Sequence, residues 1–300
     1  MDLETLKNYQ GDFTVKLVED TDNLFDQIRK GKKVIGTYDH NRQPGNDEII
    51  IIIGDYPVSH ESLVISNPMR RNYRWALKFE YDDFESHECW NKIDYIKVIN
   101  SVTRPDRLFD IMKEFKKMEV PLNKVSLQPA ITYSSTNNHY VNGLVGCFQA
   151  HISALKSLQE LDFTNVLIFE DDFTFCDPIE DNKISLVEFF DRDYDYEVLL
   201  LATSAEGTLI KKDDLVSISY QPCTTMSGFI LSKSGANRVL PLWEQANQNL
   251  ILTWNFNVYA CDRYWSIIQT DHKMLCFNRK LGYQRPAFSQ TSNTLAYNLD

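Results

Sequence analysis

Three consecutive carboxylates, Glu170, Asp171 and Asp172, follow the apolar run Val166-Leu167-Ile168-Phe169 and precede Phe173-Thr174-Phe175. Neighbouring carboxylates repel, and a hard divalent cation with oxygen ligands removes that repulsion, so the triplet is a candidate metal motif. Val166 to Phe169 has the length and β-rich composition of a strand buried on both faces. The acids therefore fall at its carboxyl end, where open α/β sheets bind ligands. Strand alternation points Glu170 and Asp172 one way and Asp171 the other. A solvated acidic turn closing a core strand is the competing account.

A second group of polar residues lies in Ile99-Asn100-Ser101-Val102-Thr103-Arg104-Pro105-Asp106-Arg107-Leu108. Pro105 suits the first position of a helix, so backbone N–H groups and the guanidinium groups of Arg104 and Arg107 converge on a phosphate-sized site. Many helix starts carry such residues and hold no ligand. Further on, Gly143 and Gly146 open a helix and let a backbone or a ligand approach closely. Cys147 and His151, four residues apart, share one helical face. No second Cys/His pair follows, so a packed or hydrogen-bonding histidine explains that spacing better than zinc. Asp262, within Tyr259-Ala260-Cys261-Asp262-Arg263-Tyr264-Trp265, has the aromatic surroundings of a partly desolvated general base. A helix cap or a partner for Arg263 accounts for it equally well. Trp254, Tyr264 and Trp265 are candidates for stacking on sugar faces, with core packing as the alternative.

The elements that must position these residues follow from the hydrophobic pattern. From Ile93 onward strands and helices alternate: Tyr95–Ile99 then Asp106–Met118, a loop then Gly143–Glu160, Val166–Phe169 then Ile184–Phe190. Strands Val198–Leu201, Leu215–Tyr220 and Phe229–Leu231 and helices Gly235–Glu244 and Val258–Gln269 complete the series. Such alternation predicts an α/β domain, residues 93–300, around a parallel sheet with crossovers. Residues 1–92 differ, with strand-like pieces Lys33–Gly36, Ile49–Ile53 and Leu63–Ile65, a turn at Pro44–Asp47 and a polar hinge at Glu80–Glu88. They predict a small β-rich accessory unit, open to acceptor binding, oligomerisation or simple support.

Composition narrows the classes. An apolar content of 43% over 300 residues supports a large core, and 42 acidic against 31 basic residues give a net charge of −11, which opposes binding to nucleic acid or anionic membranes. The first residues lack the features of a secretory signal, and no apolar run approaches the ~18 residues of a membrane span. Six scattered cysteines without metal-finger spacing suit reduced thiols and a cytoplasmic location, the host cytoplasm if the source is a virus.

In this order, Ile99-Asn100 to Arg107-Leu108, Gly146-Cys147 with His151, Leu167 to Asp172, and Ser227-Gly228-Phe229-Ile230-Leu231-Ser232-Lys233-Ser234-Gly235-Ala236 resemble glycosyltransferase family 25. That family includes lipopolysaccharide, lipooligosaccharide and collagen galactosyltransferases, and the resemblance spans roughly residues 93 to 295. It implies a GT-A type nucleotide-sugar-binding fold. It also implies an inverting transfer of a sugar, galactose or glucose, from a UDP-sugar to a hydroxyl of a glycan or glycoprotein, with a divalent metal, Mn2+ before Mg2+. The implied donor contacts are Asn100, Ser101, Arg104, Arg107, Gly146, His151, Ser227 and Gly228. Glu170, Asp171 and Asp172 are the implied metal ligands, and Asp262 is the candidate base. Ser101-Val102-Thr103 stands where many members carry Leu-Asp and a basic residue, and Gln149-Ala150-His151 replaces a frequent Ser-His pairing.

Two other readings fit part of these residues. Glu170-Asp171-Asp172-Phe173-Thr174 is similar to the Asp-x-Asp-x-Thr of haloacid-dehalogenase-like phosphohydrolases except at the first position, which carries their nucleophile. A non-catalytic carbohydrate-binding relative would keep the fold and lose turnover.

Overall fold

The computed structural model describes residues 86–101, 105–205, 209–219, 223–265, 268–269 and 272–285, and outside them the strands 14–17, 33–37, 48–53, 74–80, 287–289 and 294–296. The strands before residue 81 are β1 Thr14–Leu17, β2 Lys33–Thr37, β3 Glu48–Ile53 and β4 Arg74–Glu80. They form a sheet of order β1-β4-β3-β2, with β3 parallel to both its neighbours and β1 antiparallel to β4. The five isoleucines thus lie in an interior strand. The expected strand at Leu63–Ile65 and the turn at Pro44–Asp47 fall outside the described residues.

The larger sheet has eight strands. They are β5 Tyr95–Asn100, β6 Val125–Pro129, β7 Asn165–Glu170, β9 Val198–Leu200, β11 Leu209–Lys211, β12 Val216–Ser219, β14 Gly228–Ser232 and β15 Met274–Phe277. Three two-stranded pairs are separate from it: β8 Phe173–Phe175 with β16 Gly282–Gln284, β10 Ser204–Ala205 with β13 Cys223–Thr224, and β17 Ala287–Ser289 with β18 Thr294–Ala296. The sheet order is β11-β12-β15-β9-β14-β7-β5-β6. The sheet is mixed, which corrects the expectation of a parallel one. β5, β6 and β7 run together, as do β9 and β15, whereas β14 runs against both β7 and β9 and β12 against β15. The reversal matters to the site, because it sets the first residues of β14 beside the last residues of β7.

Helices cover both faces. α1 is Pro105–Lys117, α2 His139–Lys156, α3 Ile179–Asp191 and α4 Lys233–Thr253, followed by the short α5 Phe256–Tyr259 and α6 Cys261–Tyr264. α2 begins before the expected Gly143 because the Asn138 side chain accepts from the N–H groups of Tyr140 and Val141, a cap that satisfies otherwise orphaned donors. The single helix expected over Val258–Gln269 is interrupted at Ala260, whose backbone is extended at φ −62° and ψ 148°.

Side-chain alternation divides the core. Val166, Ile168, Phe229 and Leu231 pack with α2 and α4, while Leu167, Phe169, Ile230 and Leu275 pack with α1 and α3. Each fully buried aliphatic or aromatic side chain contributes roughly 1.5–3 kcal/mol. Cys89 and Trp90, N-terminal to the expected boundary near residue 92, are buried in this α/β core, and the Trp90 indole N–H donates to the Met118 carbonyl at 2.8 Å.

Candidate functional site

The carboxyl end of β7 is built from its neighbours. Ile99 of β5 pairs with Glu170, the Asp171 N–H donates to the Ile99 carbonyl, and the Glu170 N–H donates to the Ser227 carbonyl. The final residue of β5, Asn100, is fully buried and donates from Nδ2 to Asp171 Oδ2 at 2.7 Å. The Ser101 N–H points to the same oxygen at 3.4 Å. Arg107, in the first turn of α1, brings Nη1 to 3.1 Å from both Asp171 Oδ1 and Asp172 Oδ2. From the end of β16, Gln284 Nε2 donates to Asp172 Oδ2 at 3.2 Å, and Arg285, the next residue, donates to the carbonyls of Asp172 and Asp171.

This arrangement corrects the alternation argument. β7 ends at Glu170 and the chain turns through Asp171 and Asp172, so the period of two no longer applies and both aspartates meet the same guanidinium. All three acids titrate high. Burial, then the charge of Asp172, pushes Asp171 up to about 6, with Arg107 opposing. Burial and the charge of Glu170 carry Asp172 to about 6, again against Arg107. Glu170 rises to about 7 through burial and the charge of Asp171. Asp172 Oδ1 is buried with no hydrogen-bond partner among the described residues. Oxygen-rich, under-neutralised and one acceptor short of a partner, the pair fits a hard divalent cation.

Glu170 faces the other way, with Val166 and Ile168, toward α2. The Cys147 thiol donates to Glu170 Oε1 at 3.5 Å, and His151 Nε2 lies 3.6 Å from the same oxygen. Sequence spacing placed Cys147 and His151 on one helical face; the sheet adds Glu170, so that one ligand atom from each of the three residues lies within 4.8 Å of the others. Gly146 serves this packing: a Cβ there would stand 2.2 Å from the Ile131 carbonyl oxygen. Burial disfavours a charged His151, but its contacts with Cys147 and the charge of Asp262 outweigh that and raise its pKa.

Ser227 is fully buried, with its hydroxyl unpartnered among the described residues. Gly228 closes on the Phe173 ring, where a Cβ would meet ring carbon at 2.5 Å. Asp262, in α6, accepts from the Thr225 N–H at 3.4 Å, and its charge is felt at both Glu170 and His151. Thr225 itself holds φ at 86°, a strained conformation for a β-branched residue. Trp265 packs on Phe229 and Trp243 in the core, whereas Trp254 is exposed. Arg104 lies outside the described residues. Sequence reasoning missed Gln284, which ends a three-residue strand without a distinctive pattern, and Arg285, which follows it.

Asp171, Asp172 and Arg107 thus meet at the carboxyl end of an interior strand of a mixed α/β sheet. The profile of glycosyltransferase family 25 (LPS biosynthesis protein) matches residues 96–253, more than half of the chain, and the chain belongs to that family and is a glycosyltransferase. A search of curated proteins returns no match. Among solved structures, a glycosyltransferase involved in the glycosylation of the major capsid of PBCV-1 is 8% identical with a TM-score of 0.39, over 66% of this chain and 96% of that one. The 4-diphosphocytidyl-2C-methyl-D-erythritolsynthase from Anaerococcus prevotii DSM 20548 is 12% identical with a TM-score of 0.34, over 63% and 72%. Likenesses this remote carry no functional argument. No helix among the described residues is long and apolar enough to cross a membrane.

Proposed function

We propose that the protein transfers a sugar, galactose or glucose, from a UDP-sugar to a hydroxyl of a glycan or glycoprotein acceptor, with inversion and with a divalent cation, Mn2+ before Mg2+. The observation that carries this reading is the buried Asp171–Asp172 pair at the carboxyl end of β7, held by Arg107 and Asn100 and still lacking a partner for one oxygen. Asp171 and Asp172 would hold the cation, and Glu170 stands behind them, turned to α2. A bound cation supplies Lewis acidity to the departing diphosphate. Arg107, with Arg104 preceding α1, gives charge-assisted contacts to phosphate oxygens. Ser227 and Gly228 border the sugar, and the Asp262 carboxylate takes the proton of the acceptor hydroxyl. Cys89, Cys147, Cys176 and Cys261 are thiols rather than disulfides, in keeping with a reducing, cytoplasmic setting.

A panel of UDP- and GDP-sugars, assayed for hydrolysis with and without Mn2+, tests the reading. One UDP-sugar should be hydrolysed only with the cation, and faster transfer should appear once an acceptor is found. Cation-independent hydrolysis, or none with any UDP-sugar, would remove the proposal.

A further inference from the structure

Behind the aspartate pair, Cys147, His151 and Glu170 form a cluster that the transfer reaction does not use. Its geometry is that of a small metal cage. Cys147 Sγ lies 3.5 Å from Glu170 Oε1, His151 Nε2 lies 3.6 Å from the same oxygen, and one donor atom from each of the three residues lies within 4.8 Å of the others. Tetrahedral bonds of about 2.0–2.3 Å place ligand atoms roughly 3.3–3.8 Å apart.

The imidazole is oriented as a ligand. Its Nδ1 lies 3.0 Å from the Cys147 carbonyl oxygen, and a carbonyl only accepts, so Nδ1 carries a proton. In the neutral ring Nε2 is therefore the atom with the lone pair. A backbone carbonyl on the remote nitrogen is the usual support of a metal-binding histidine. The ring is fully buried, stacked on Phe229 and edge-on to Trp243, so turning Nε2 elsewhere would cost packing. That atom has no hydrogen-bond partner among the described residues and faces a carboxylate oxygen. A cation between these two acceptors, either a proton or a metal ion, would remove their mutual repulsion.

We infer that Cys147, His151 and Glu170 form a site for a thiophilic divalent cation of the zinc class, separate from the Asp171–Asp172 pair. Sulfur and imidazole donors select zinc over magnesium and manganese, which favour oxygen. Cys147 and His151 are one turn apart on α2, and Glu170 ends β7, so all three donors stand on rigid elements. Cys261, at the start of α6, neighbours the Cys147 thiol. Binding displaces protons from the thiol and from the His151–Glu170 contact. The inference does not depend on the proposed transfer reaction.

The test uses the full chain, stripped with EDTA, desalted and titrated with Co2+. About one equivalent should give a thiolate-to-cobalt charge-transfer band with tetrahedral visible bands, and Zn2+ should bleach them. Cys147→Ser should weaken Zn2+ binding by more than about 100-fold, beyond the loss of an outer-shell partner, whereas Asp172→Ala should leave the cobalt spectrum in place. No thiolate band in the wild type, or an unaltered band and affinity in Cys147→Ser, would overturn the inference. Should Cys147→Ser not fold, alkylation of Cys147 in the wild type, followed by peptide mass spectrometry, decides. Zn2+ should slow it at least about tenfold and Mg2+ should not, and equal rates with and without Zn2+ would refute the site.

Discussion

The two sides of the β7 terminus carry the same kind of acid in opposite surroundings. Asp171 and Asp172 meet a guanidinium, an asparagine and a glutamine, all hard, polar partners that suit a diphosphate and its cation. Glu170, next to them in sequence, meets a thiol and an imidazole inside an aromatic wall. One peptide bond thus separates an oxygen-donor environment from a sulfur–nitrogen one. The motif's three charges therefore need not act as one unit, and each should answer differently to substitution.

The sharpest way to break the comparison is Asp172→Ala. Sugar transfer should be abolished while the circular dichroism spectrum and unfolding midpoint stay native-like, because the position lies outside the hydrophobic layers. An active variant would show that the pair is structural. Asp262→Asn comes next. Loss of a general base costs about 10²–10⁴-fold in rate, so transfer should fall by that much with UDP affinity unchanged and donor hydrolysis less affected. Near-wild-type transfer would move the base elsewhere. Arg107→Ala should weaken UDP binding by roughly 1.5–3 kcal/mol, the range for hydrogen bonds to charged groups. Calorimetric titration giving the wild-type constant would leave Arg107 a mere partner of the aspartates.

The smallest effect is electrostatic. Asp172 titrates near 6 in the fold, above its ordinary 3.8, so the metal-free native state holds that proton more tightly than the unfolded chain does. Its contribution to stability is complete below about pH 4 and is lost as pH rises through about 6, at most about 3 kcal/mol and less where coupled neighbours share the titration. Metal-free wild type should therefore lose thermal midpoint between pH 4 and 7 more steeply than Asp172→Asn. Parallel curves would argue against the buried, under-neutralised carboxylate.

Much of this site was legible in the sequence because β7 is covered on both faces. A continuous apolar run ending in charge has one reading as a strand end, and alternation from Ile168 to Glu170 correctly sends Glu170 toward α2. Alternation then failed at Asp172, because it holds only while the strand continues. Cys147 and His151 were visible as a spaced pair, but their third partner comes from a strand 19 residues past His151 and only the sheet brings it near. β6 and β15 were hidden for a different reason. Val125-Ser126-Leu127-Gln128-Pro129 mixes polar residues and a proline, and Met274-Leu275-Cys276-Phe277 carries no β-branched residue, so tertiary pairing rather than local preference makes them strands.

The central claim, that Asp171 and Asp172 hold a cation which in turn holds the donor diphosphate, is tested most directly by titrating UDP calorimetrically into the wild type and Asp172→Ala, each in EDTA and in Mn2+. In the wild type Mn2+ should tighten UDP binding by at least about tenfold, a coupling of about 1.4 kcal/mol, and in Asp172→Ala that coupling should vanish. Equal UDP affinity in EDTA and Mn2+ for the wild type, or a coupling that survives the substitution, would contradict the account.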